Sequence, residues 1–89
     1  MITSDLPIIN KLGLHARAAA KLVKLSSGFE STVEIEKDGQ RVNSKSIMGV
    51  MMLAASCGTQ VTIIADGADE EEAIKAVTDL INRRFAEEE

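Results

Sequence analysis

Thr32-Val33-Glu34-Ile35-Glu36-Lys37-Asp38-Gly39-Gln40-Arg41-Val42-Asn43 alternates apolar and polar residues around the central Asp38-Gly39 pair. A period of two marks a strand buried on one side. Asp-Gly is a favoured pair for a two-residue hairpin turn, because both central positions need a positive φ. The stretch therefore reads as two antiparallel strands, Thr32–Lys37 and Gln40–Asn43. Val33, Ile35 and Val42 face a core, while Thr32, Glu34 and Glu36 face outward. A hairpin with one polar face implies a sheet covered on one side and open to water on the other.

Upstream, residues 2–9 read as a strand with Leu6 and Ile8 on one face, and Pro7, which lacks a donor, puts it at a sheet edge. Residues 10–13 form a connecting loop. Ala16–Ser27 has helical spacing, with Ala19, Leu22, Val23 and Ser26 inward, Lys21 and Lys24 outward, and Gly28 placed to end it. Downstream, the Met-rich stretch 46–54 reads as a short helix capped by Ser46. Residues 59–65 read as a strand with Val61 and Ile63 inward and polar Gln60 and Thr62 outward. Asp69 and Glu72 have capping-box spacing for a last helix reaching Phe85, with Ala73, Val77, Leu80, Ile81 and Arg84 along its inner side. Glu87, Glu88 and Glu89 read as a frayed acidic tail. The order β-α-β-β-α-β-α gives an α+β fold: an open-faced β-sandwich, one four-stranded antiparallel sheet with three helices on a single face.

At 89 residues the chain is expected to be one domain, 1–89. Phe29 and Phe85 are the only aromatics, so the core is aliphatic. The net charge of −4 argues against nucleic acid or an anionic membrane as a partner. The pair Lys21 and Lys24 reads either as a local docking feature or as a solvated helix face. A single cysteine, Cys57, excludes an internal disulfide and fits a reducing compartment; it is expected as a buried small hydrophobe. No signal-peptide run or membrane span is visible, so the cytoplasm is the expected compartment. No metal or cofactor is expected.

The one histidine, His15, stands immediately before the first helix, where Ser, Thr, Asp or Asn would ordinarily cap. A helix start offers unpaired N–H groups and a positive dipole end, which favour an anion there. Arg17 adds a guanidinium whose fork matches phosphate oxygens. Gly13 leaves room for a partner's backbone to approach. Neutral imidazole is a nucleophile near neutral pH, so a transferable phosphoryl group on His15 is the chemistry these residues suit.

Two segments carry a family resemblance. Gly13-Leu14-His15-Ala16-Arg17 resembles the phosphorylation motif of the HPr family of bacterial phosphotransferase systems and of its nitrogen-system paralogue. Asn43-Ser44-Lys45-Ser46-Ile47-Met48-Gly49-Val50-Met51-Met52-Leu53 resembles the second HPr signature. The resemblance spans essentially the whole chain. It implies a phosphocarrier rather than an enzyme, with His15 accepting through Nδ1 and Arg17 stabilising the phosphoryl group. Enzyme I, charged by phosphoenolpyruvate, would be the donor, and IIA proteins or domains the acceptors. Ser46 matches the family's regulatory serine, the target of an HPr kinase/phosphorylase in bacteria that have one. Ile47, Met48 and Met51, with Ala16 and Ala20, are expected to form a partner surface, and the chain is expected to act as a monomer. The family's motif commonly has proline where this chain has Ala18. Sugar uptake and nitrogen-linked regulation both remain open. A competing reading is a ligand-binding regulatory module of ferredoxin-like topology, which leaves His15, Ala16 and Arg17 unexplained.

Overall fold

The computed structural model describes residues 1–86. Four strands, β1 (Ile2–Pro7), β2 (Thr32–Lys37), β3 (Gln40–Asn43) and β4 (Gln60–Asp66), form one antiparallel sheet in the order β1-β4-β2-β3. Helices α1 (Ala16–Ser27), α2 (Ile47–Met52) and α3 (Glu70–Asn82) accompany it. The expected α+β, open-faced arrangement is thus the one found. Pro7 lies in an edge strand, where a missing donor breaks no ladder. Asp38 and Gly39 have φ of 52° and 81°, the two positive values of the hairpin turn.

The register sets the core. Leu6 opposes Val61, and Ile35 opposes Ile63. These side chains are buried with Leu22 and Ala19 of α1, Val50 of α2 and Val77 and Ile81 of α3. Ser26, on the buried face of α1, accepts a 2.9 Å hydrogen bond from Ser44 Oγ, so that inward hydroxyl is paired. The opposite face departs from the expected polar surface at one point. Ile64 is buried there, opposite Thr3 and Glu34 of the neighbouring strands.

The structure departs from expectation at Asp69, at the end of the last helix and at Cys57. Asp69 stands at the N-cap of α3 but makes no side-chain cap bond. Its carboxylate instead accepts from the N–H groups of Glu30 and Ser31, each at 2.9 Å, and from the Ser31 hydroxyl. The helix-start bond is made by Glu70, whose Oε1 accepts from Gly67 N–H at 3.1 Å. The last helix stops at Asn82, not Phe85, and Arg84 is exposed rather than inward. Arg84, Phe85 and Ala86 have φ of 56°, 56° and 61°, a left-handed turn that folds the fully buried Phe85 under the core. That conformation costs roughly 1–2 kcal/mol per residue; burying the ring, worth about 1.5–3 kcal/mol, offsets part of it, and Lys21 Nζ tethers the Phe85 carbonyl at 2.6 Å. Cys57, finally, is exposed on a loop and not a core residue. Gly28 does end α1, but in ordinary right-handed geometry at φ −77°. The acidic stretch 87–89 lies outside the described residues.

Candidate functional site

His15 is the N-cap of α1. Its backbone is extended (φ −77°, ψ 178°), its carbonyl accepts the first intrahelical bond from Ala19 N–H at 2.8 Å, and its Nδ1 accepts from Arg17 N–H at 3.3 Å. A ring nitrogen that accepts carries a lone pair, so the proton of the neutral imidazole belongs on Nε2. Nδ1 therefore faces the positive end of α1 and one of its unpaired donors. Ala16, Arg17 and Ala20 are exposed, and Ala18 and Ala19 are buried. The exposed start of α1 is thus small and flat around Arg17, while the next residues anchor the helix in the core.

The segment leading into His15 is held by the chain itself. Gly13 has φ +66°, and a Cβ there would lie 2.6 Å from the Ala55 carbonyl oxygen and 2.8 Å from Ser56 Cα. Leu14 N–H donates to the same Ala55 carbonyl at 2.8 Å, and Asn10 Nδ2 donates to the Gly13 carbonyl at 2.8 Å. The close approach expected of Gly13 is thus to the loop after α2, within the same molecule.

α2 packs against α1 and begins at Ser46, whose Oγ accepts from Gly49 N–H at 3.2 Å. Only Val50 of this helix is buried. Ile47, Met48 and Met51 are exposed, as expected, and so is Met52, at 67%. Leu12 is exposed at 66% in the loop before His15. Sequence pattern does not single out Met52 or Leu12. The signal for Met52 is helix length, since a six-residue helix buries one narrow face.

Lys21 and Lys24 do not act as one patch. Lys21 is half-buried and tied to Phe85, whereas Lys24 is exposed. Both line an apolar groove of about 400 Å³ with Leu25, Gly28 and Phe29, toward the far end of α1 from His15. Among the described residues no group of His, Cys, Asp and Glu side chains is arranged to hold a metal ion. No described helix is long and apolar enough to cross a membrane.

Residues 2–83 match the family model described as the PTS HPr component phosphorylation site. The phosphocarrier protein HPr of Cupriavidus necator is 55% identical over 89 residues, the whole of both chains. The crystal structure of HPr-C-His from Thermoanaerobacter tengcongensis superposes with a TM-score of 0.96 at 52% identity, covering 100% of each chain. An HPr dimer from the same organism superposes with a TM-score of 0.79 at 52% identity, over 98% of this chain and 100% of that one. A match of this length displaces the ferredoxin-like regulatory module: the chain belongs to the HPr family, the phosphocarrier proteins of the phosphotransferase system.

Proposed function

We propose that His15 accepts a phosphoryl group on Nδ1 from phosphorylated Enzyme I and donates it to IIA proteins or domains, in sugar uptake or nitrogen-linked regulation. The observation that carries this reading is the Nδ1 lone pair held against Arg17 N–H at the start of α1. In the step the donor's P–N bond breaks as the Nδ1–P bond forms, and the donor imidazole leaves with the electron pair. The exchange is histidine for histidine, so it needs no net proton. The incoming oxygens meet the first-turn N–H groups, among them the Arg17 N–H that the ring had used, and Arg17, exposed beside them, adds its guanidinium. Onward transfer reverses these roles.

Ile47, Met48 and Met51, with Ala16 and Ala20, form the surface against which donor and acceptor dock in turn. Thioether side chains adapt to more than one partner. Ser46 is the site of regulatory phosphorylation by an HPr kinase/phosphorylase where the host has one. A phosphate there suits the start of α2 and sets charge beside the apolar docking residues. The chain works in the cytoplasm as one domain and as a monomer, because His15 must be reached by two different proteins.

Incubation with Enzyme I and phosphoenolpyruvate, read by intact mass, tests the reading. The parent should gain one phosphoryl group, His15→Ala none, and Arg17→Ala should gain it more slowly. Ser46→Asp should keep its melting point, since carboxylates cap well, yet load more slowly. Acid-labile phosphate on His15→Ala would refute the assignment, and a dimer on sizing of the active form would refute the monomer.

A further inference from the structure

We infer that Lys37 is a positioning residue for phosphoryl transfer, acting through the turn that joins the end of α2 to the segment before His15. The inference rests on the proposed role of His15. Lys37 is at the end of β2, outside both signature segments. Its Nζ nevertheless donates to the carbonyls of Leu53 at 3.0 Å and Ala54 at 3.4 Å. These carbonyls close α2, where the backbone leaves acceptors unpaired and the helix end is negative. A lysine there satisfies both the bonds and the charge.

The turn it grips is not a relaxed one. Ala54 has φ of 51°, a left-handed value unusual for alanine. The carbonyl after it, Ala55, accepts from Leu14 N–H at 2.8 Å, and Gly13 is seated on Ala55 and Ser56 without room for a Cβ. One short turn thus has the ammonium of Lys37 on one side and the residues leading into His15 on the other. The same turn continues directly from Met51 and Met52, so it fixes the docking helix and the phosphoacceptor relative to each other. Lys37 touches neither the imidazole nor the first-turn donors of α1. Its loss should therefore loosen docking rather than chemistry, raising KM while leaving kcat alone.

The test is steady-state phosphorylation by Enzyme I at 25 °C, with Lys37→Met and Lys37→Arg beside the parent. Methionine keeps the apolar stem and removes every donor, whereas arginine keeps charge and donors. For Lys37→Met we expect KM for the carrier to rise roughly three- to tenfold with kcat within twofold, less than a lost charged hydrogen bond could produce in full, because Lys37 acts only through the turn. Amide exchange of Leu14 should quicken in the same variant, and Lys37→Arg should restore both. A fall in melting point with KM and Leu14 exchange unchanged would make Lys37 merely structural and overturn the inference, as would a fall in kcat at constant KM. If the parent itself takes no phosphoryl group, the role of His15 fails and the inference falls with it. A phosphorylated parent with an unaltered variant sinks the inference alone.

Discussion

Replacing Gly13 by alanine separates two costs that coincide at this position. Gly13 has φ +66°, so any L-residue there pays for a left-handed backbone, roughly 1–2 kcal/mol. The added Cβ would also sit 2.6 Å from the Ala55 oxygen, about 0.8 Å inside the 3.4 Å at which ordinary contact begins. Both partners are backbone, so no flexible side chain can swing away. Relief requires moving the loop after α2 by most of that distance, which stretches the 2.8 Å bond from Leu14 N–H to Ala55. A lost hydrogen bond costs about 1 kcal/mol, and forced rearrangement of a packed region about 1–3 kcal/mol. The sum is roughly 3–6 kcal/mol, a large part of a small domain's stability.

Gly39 supplies the control. It has φ +81°, and a Cβ added there would meet nothing within 4 Å, so alanine should cost only the roughly 1–2 kcal/mol of backbone strain. Urea unfolding of the parent and both variants measures the difference. Gly13→Ala should be the less stable by about 2–4 kcal/mol, since only it adds the steric and hydrogen-bond costs. Equal destabilisation by the two substitutions would refute the reasoning, because the contact of Gly13 with residues 55 and 56 would then carry no energy.

Asp69 predicts a pH dependence. The Ser31 hydroxyl, then the N–H groups of Glu30 and Ser31, hold its carboxyl down at about 2, below the ordinary 3.8. A depressed acid contributes stability that is fully present above its unfolded value and is lost as pH falls through the folded one. Unfolding followed between pH 4 and 2 should therefore show a decline in the parent that is shallower in Asp69→Asn; parallel curves would count against the assignment. Ala18→Pro should raise the thermal midpoint by a few degrees and leave phosphotransfer intact. The N–H that bonds the His15 ring is Arg17's, so proline spares that bond and restricts the unfolded chain, worth about 0.4–1 kcal/mol. A lower midpoint would show instead that the buried position cannot take the ring.

The parts of the fold legible in sequence are those decided by near neighbours. The β2–β3 hairpin follows from strict alternation and Asp38-Gly39, whose turn is closed within the segment itself. α1 begins and ends where its own residues place it, and Ser46 caps α2 through Gly49, three residues on. The failures share a different cause. Asp69 has the spacing of a cap, but its carboxylate is taken by Glu30 and Ser31, brought to it only by the sheet. Phe85 has helical spacing, yet its place in the core and the tether from Lys21 turn the backbone left-handed. Ile64 breaks the polar face in the middle of the sheet, on a strand with a neighbour on each side.

The candidate site divides along the same line. His15 and Arg17 could be recognised because the chemistry they offer is made by consecutive residues: a ring, a helix start and a guanidinium. What keeps that chemistry in place is not consecutive. Gly13 matters because residues 55 and 56 lie against it, and Lys37 holds the adjoining carbonyls of Leu53 and Ala54. A half-exposed histidine at a helix start has few restraints of its own, so the rigidity of the segment before it comes from backbone bonds made at a distance. On the proposed reading this division suits a carrier. The reacting atoms stay open to two successive partners, while the restraint on them comes from beneath, through a turn that neither partner need displace.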